Sequence, residues 1–129
     1  MTPEVTDYLE KARQCLRFAQ ININVQLGND AGRNAYLAAF HAAQAYIFFR
    51  TGAAAKSHNG VHSEFSRLTQ EEPSIDKELR RFLSQAYNLK AVADYDTGPD
   101  SMVPLEQARI ALIKAENFVD RIAELLSTK

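Results

Sequence analysis

Arg33-Asn34-Ala35-Tyr36-Leu37-Ala38-Ala39-Phe40-His41-Ala42-Ala43 is the stretch on which the reading of this chain turns. A small helical protein has little reason to set Tyr, Phe and His together on one alanine-rich helix. It has less reason to follow that helix with a polar turn, Lys56-Ser57-His58-Asn59-Gly60-Val61. A third segment of the same character, Ala93-Asp94-Tyr95-Asp96, comes later. Composition by itself leads no further than a helical domain, so these three segments carry the functional argument.

The chain has 129 residues, enough for one domain with a core and too few for two, so 1–129 is expected to form a single unit. Apolar residues make up 46% and charged residues 24%, which argues against disorder. The formal net charge is −1, so any nucleic-acid site has to be a local basic patch. Cys15 is the single cysteine, which excludes an internal disulfide and fits a reducing compartment. Met1-Thr2-Pro3-Glu4-Val5 has neither the basic nor the apolar region of a signal peptide, and no uncharged apolar run reaches membrane-spanning length. The expectation is a cytoplasmic protein with no membrane contact.

The chain reads as a succession of helices. Thr2 caps the first and Pro3 takes its first position, where a missing N–H costs nothing. Val5, Leu9, Ala12, Leu16 and Ala19 then recur at helical spacing. Asn29 or Asp30 is expected to cap a second helix running to about Arg50, which Thr51-Gly52 terminates. Ser57 caps a short third helix, about 59–69. Glu71-Glu72-Pro73 breaks the chain, and Ser74 is expected to cap a fourth helix whose stripe is Leu79, Phe82, Leu83, Ala86, Tyr87 and Leu89. A turn-rich connection, 94–104, leads to a last helix from near Pro104, with Leu105, Ala108, Leu112, Ala115, Val119, Ile122 and Leu126 along one side. No segment sustains a period of two. The predicted fold is all-α: an antiparallel bundle of four long helices with a short extra helix.

Several side chains invite a chemical role. His41 reads as a half-buried histidine rather than a ligand, because no Asp, Glu, Cys or His stands four residues to either side. His58 and His62 share a face, but neither a Glu beside them nor a third ligand completes a zinc site, so no metal is expected. Ser57 and Gly60 read as a helix start, the glycine allowing close helix packing. Lys56 and His58 exceed what a cap needs and stay open as anion-binding residues. Lys77, Arg80 and Arg81 form a basic cluster that a solvated face would also explain. Tyr36, Phe40, Tyr46, Phe48 and Phe49 cover more than one face of the second helix, which points to a second subunit as well as the core. Asp94 and Asp96 flank Tyr95 at a helix end that disfavours carboxylates. Either function selects them, or they accept backbone N–H groups in a turn.

The Tyr-x-Ala-x-Phe-His-Ala-Ala pattern of 36–43, the Ser-His-x-Gly-Val turn of 57–61 and Ala93–Asp96 resemble the HEPN domains of prokaryotic toxin–antitoxin systems. The likeness extends from about Asn29 to Phe118. It implies a helical bundle that forms a homodimer with a polar cleft between subunits, no cofactor, and a small nucleotidyltransferase of the MNT type as partner and antitoxin. Many such proteins are metal-independent ribonucleases using Arg-x4–6-His. There the Arg stabilises a pentacoordinate phosphate and the His moves protons. Here the corresponding place reads Lys90-x4-Tyr95. Lysine offers charge but no fork, and tyrosine, with a reference pKa near ~10, is a weak base at neutral pH. Arg33 and His41 lie too far apart, ~12 Å along a helix, to act on one phosphate unaided. The resemblance thus implies Lys90, Asp94 and Tyr95 as a catalytic centre, with Lys56, Ser57, His58, His41 and Arg33 contacting RNA or a nucleotide. Its alternative is a non-catalytic module that holds the nucleotidyltransferase or a nucleotide. Tyr95 would be the tyrosine to which such a partner adds AMP.

Overall fold

Thr2 accepts the Val5 N–H on its hydroxyl at 3.3 Å, Pro3 follows it, and the first helix, α1 (Pro3–Asn24), starts there. The computed structural model describes residues 1–98 and 101–127. Its other helices are α2 (Gly28–Thr51), α3 (His58–Thr69), α4 (Lys77–Tyr95) and α5 (Leu105–Ser127), and no strand occurs among the described residues. The fold is the all-α bundle expected, four long helices and one short one. Pro99 and Asp100 of the 94–104 connection, and the last two residues of the expected 1–129 domain, lie outside the described residues.

The helix starts differ from expectation in two places, each for a local reason. Asn29 and Asp30 lie inside α2 rather than before it, because their side chains are engaged elsewhere. Asn29 accepts the Val103 N–H at 2.7 Å, tying the start of α2 to the segment before α5, and Asp30 pairs with Arg33. A Cβ on Gly28 would collide with the Val103 carbonyl, so α2 begins on the residue that permits this approach. In α4 the cap is Asp76, whose carboxylate accepts the Leu79 N–H at 2.9 Å, and not Ser74. Between them Ile75 turns into the core, 3% exposed, which delays the helix by two residues. Ser57 caps α3 as expected, accepting the Gly60 N–H at 2.9 Å. A Cβ on Gly60 would crowd Ser57 Oγ and nothing else, so this glycine serves the cap and not helix packing.

Helix α2 is the axis of the molecule. Its buried residues run around the whole circumference, Ala35, Tyr36, Ala38, Ala39, Ala42, Ala43, Tyr46 and Ile47 among them. A helix that is apolar all round belongs in an interior, and α1, α3, α4 and α5 all pack on this one. Of the aromatic set expected to reach a second subunit, Tyr36, Phe40 and Tyr46 are buried within the chain, while Phe48 and Phe49 pack against the core and stay partly exposed. Arg13–Asp120, with Ala19 and Ile23 clustered on Ala108 and Leu112, sets α1 antiparallel to α5, and Arg33–Asp94 with Tyr36–Tyr87 sets α2 antiparallel to α4. Among the described residues, no helix is long and apolar enough to cross a membrane.

Candidate functional site

The middle of α2, the start of α3 and the second half of α4 meet at one corner. Ser57 fixes where α3 begins, so His58 is its first residue and His62 stands one turn later on the same face. Tyr36, fully buried, turns its hydroxyl toward both: 2.7 Å from His58 Nδ1 and 3.0 Å from His62 Nε2. Tyr87 of α4 closes the cluster, its ring 5.3 Å from Tyr36, 5.5 Å from His58 and 5.6 Å from His62 between centroids.

One hydroxyl proton between two imidazoles allows two arrangements. In the first, Tyr36 accepts from His58 Nδ1–H and donates to His62 Nε2, which leaves His58 Nε2 as a proton acceptor. In the second, Tyr36 donates to His58 Nδ1 and accepts from His62 Nε2–H, which leaves His58 Nε2–H as a donor. Converting one into the other shifts two protons across Tyr36, with a third gained at His58 Nε2 and a fourth released from His62 Nδ1, so that both rings stay neutral. No hydrogen bond holds His58 Nε2 among the described residues, and no buried side-chain nitrogen or oxygen there lacks a partner, so Nε2 reaches solvent. Burial lowers the pKa of His58, and the nearby Lys90 charge lowers it further. Burial and then His58 do the same to His62. Both rings are held neutral more firmly than free histidine. Burial, with Tyr87 beside it, pushes the Tyr36 hydroxyl up, so it keeps its proton.

Next to the histidines lies a charged group. Lys90 occupies the apolar stripe of α4, following Leu79, Leu83 and Ala86 at helical spacing, and is only 8% exposed. Its ammonium donates to Tyr95 Oη at 3.1 Å, pairs with Asp94 at 3.0 Å, and stands 4.7 Å from the Tyr95 ring centroid and 5.9 Å from that of Tyr87. Asp94 also accepts from Arg33 Nε at 2.7 Å, and Arg33 reaches Asp30 at 3.1 Å. The hydrogen bond to Tyr95, then that to Asp94, raises the Lys90 pKa. The Lys90 bond, opposed by partial burial and aided by Arg33, holds Asp94 below the usual carboxylate range. Asp94 thus bonds side chains of α2 and α4 rather than turn N–H groups. It is the anion that joins α2 to α4 and positions Lys90.

Of the residues singled out from sequence, Arg33, His58, Lys90, Asp94 and Tyr95 come together here. Ser57 is occupied by its cap, and Lys56 is exposed beside it. His41 stands apart: its Nδ1 bonds Gln44 at 2.7 Å, and Gln44 in turn donates to the Ala55 carbonyl. No hydrogen bond links His41 to the cluster among the described residues. Tyr36, His62 and Tyr87 complete the cluster and were not in the expected set. Spacing points to Tyr87, which Lys90 follows by three residues and Asp94 by a further four, and to His62, one turn from His58, while Tyr36 reads only as core. Among the described residues, no group of three or more His, Cys, Asp or Glu could hold a metal ion.

The HEPN domain family matches residues 5–125, nearly the whole chain. The protein belongs to the HEPN family. Among similar proteins is "Putative toxin MJ0605" of Methanocaldococcus jannaschii, 33% identical over 123 residues, covering 95% of this chain and 89% of that one. A UPF0332 protein of Gloeobacter violaceus is 28% identical over 127 residues, 98% of this chain and 99% of its own. The crystal structure of TT1696 from Thermus thermophilus superposes with a TM-score of 0.77 at 22% identity, over 95% of this HEPN chain and 98% of the other, and shows the shared fold.

Proposed function

We propose that this HEPN protein is the toxin of a cytoplasmic toxin–antitoxin pair and cleaves RNA without a metal ion at the α2–α3–α4 corner, working as a homodimer. The observation that carries the reading is the placement of His58 beside Lys90, with Tyr87 in contact with both. The Arg and His that sequence reasoning sought on one helix are replaced by a Lys on α4 and a His on α3. The names of relatives such as "Putative toxin MJ0605" favour the toxin assignment. Phe18 and Ile21, exposed on α1, and Val25, exposed at its C-terminal cap, favour self-association.

In this reading the ribose 2′-OH attacks the adjacent phosphorus while His58 Nε2 takes its proton. The bond from phosphorus to the 5′-oxygen breaks, and that oxygen receives a proton from His58, which returns to its starting form. The products are a 2′,3′-cyclic phosphate and a 5′-hydroxyl. Lys90 faces the charge that develops on the phosphate oxygens. Tyr36 and His62 set the tautomer of His58 and touch no substrate atom. Incubating purified protein with RNA in EDTA tests the proposal. Cleavage to cyclic phosphate ends that is lost in Lys90→Ala supports it, and absence of cleavage by folded wild-type protein refutes it.

A second reading rests on Tyr95, which is 67% exposed at the end of α4 with its hydroxyl on Lys90. Such a phenol is accessible to a nucleotidyltransferase partner, and the chain would then serve as a binding module for that partner or its nucleotide. Coexpression with an MNT-type partner and peptide mass spectrometry tests this. An AMP mass increment on the Tyr95 peptide supports it, and its absence removes it.

A further inference from the structure

A groove between α3 and α4 continues directly from the catalytic corner. It is a hollow of about 450 Å³ bounded by Ser66 of α3 and by Lys77, Arg80, Arg81, Ser84 and Asn88 of α4. Its position follows from helical register. Ser66 stands one turn beyond His62, and Ser84 stands one turn before Asn88, the neighbour of Tyr87. From Lys77 to Asn88 the lining extends ~17 Å along the helix axis.

No acidic residue among those described lines this hollow. Lys77, Arg80 and Arg81 take part in no salt bridge among the described residues, although acids flank them in sequence. Asp76, which caps α4, and Glu78 both line the neighbouring hollow, between α4 and α5. Arg81 borders both hollows. Between the cations and the corner lie neutral hydrogen-bonding side chains, Ser66, Ser84 and Asn88, suited to phosphate and sugar oxygens. At the far end Tyr95 offers an exposed aromatic face beside Lys90. Cations along a groove and an open ring at its end are the two elements by which single strands are held.

We infer that this groove is the track of the RNA substrate: single-stranded RNA lies along α4 with successive phosphates on Lys77, Arg80 and Arg81, which delivers one phosphodiester to His58 and Lys90. The inference rests on the RNA-cleaving reading of the corner and adds to it the substrate class and the direction of approach.

Fluorescence anisotropy with a labelled, non-cleavable 2′-O-methyl RNA of roughly 12 nucleotides, within the range one such surface covers, tests it across a salt series. The variants are Arg80→Gln with Arg81→Gln, and His58→Ala. The expected result is affinity about tenfold weaker in the arginine variant, and a slope of log Kd against log salt smaller by ~1.4, two phosphates at ~0.7 each. His58→Ala binds as the wild type does while losing cleavage of ordinary RNA. Wild-type binding that the arginine substitutions leave unchanged overturns the track but leaves the catalytic corner standing. Arginine-dependent binding by a wild type that cleaves nothing supports the track and removes the catalytic reading. No binding of single-stranded RNA, or preference for an acidic protein at the same arginines, overturns the track.

Discussion

Replacing Tyr36 with Phe removes one oxygen from the centre of the site and little else. The ring stays packed against Phe40, His58, His62 and Tyr87, at centroid distances of 5.8, 5.6, 5.9 and 5.3 Å. The losses are the hydrogen bonds to His58 Nδ1 and His62 Nε2. At about 1 kcal/mol net for each neutral bond, with two half-buried ring nitrogens left to find water, the cost is about 2 kcal/mol. For a domain of this size that corresponds to a fall in melting temperature of roughly 6–10 °C. Urea denaturation and calorimetry read it directly. A double-mutant cycle with His58→Ala separates the bond from the aromatic packing, because Tyr36→Phe deletes only the hydroxyl. The expected coupling is about 1 kcal/mol. The same variant frees the His58 tautomer, so cleavage falls by more than tenfold, ~1.4 kcal/mol in the barrier, while RNA affinity holds. An unchanged melting temperature, or full additivity with His58→Ala, would refute the shared hydroxyl.

The remaining predictions concern pH, the ion-pair network and one close contact. His41, His58 and His62 all have lowered pKa values, burial being the largest cause, so the unfolded chain binds more protons below about pH 6.5. Stability is therefore full above that pH and is lost as pH falls through the depressed folded-state values; urea midpoints that stay flat or rise on acidification from about pH 7 contradict this. Asp94→Ala leaves Lys90 charged and nearly buried without its anion, and is expected to cost about 1–3 kcal/mol and to disorder the Lys90 geometry. A normal urea midpoint with full cleavage in that variant would show that Asp94 positions nothing. Gly28→Ala drives a methyl into the Val103 carbonyl and is expected to cost about 2 kcal/mol or more, while Gly52→Ala, in a left-handed cap open to solvent, costs about 1 kcal/mol. Equal urea midpoints for the two variants would contradict that ordering.

The bundle was legible because caps and periodicity are local. Thr2 and Ser57 act on N–H groups three residues away, and the stripes of α1, α4 and α5 recur every three or four positions. Misreadings arose where a side chain bonded across the fold. Asn29 looked like a cap but serves Val103, and Ser74 was displaced when Ile75 found the core. The helices that pack around α2 and bury Tyr36, Phe40 and Tyr46 are likewise not written in its own sequence. The site was legible in its parts: His58, Lys90, Asp94, Tyr95 and Arg33 stood out as residues that a structural helix does not require. Their union was not, since it depends on Tyr36, a residue that reads as core and is core, yet turns its one polar atom toward two histidines of another helix.

The most direct test compares His58→Ala with His41→Ala in metal-free RNA cleavage under single-turnover conditions, with end-group analysis of the products. Both remove one half-buried histidine, but only His58 belongs to the corner with Lys90. The account predicts loss of at least a hundredfold in His58→Ala, about 2.7 kcal/mol or more in the barrier, and near wild-type rates with cyclic phosphate ends in His41→Ala. Loss in His41→Ala with His58→Ala active would contradict it and move the chemistry to the other side of α2.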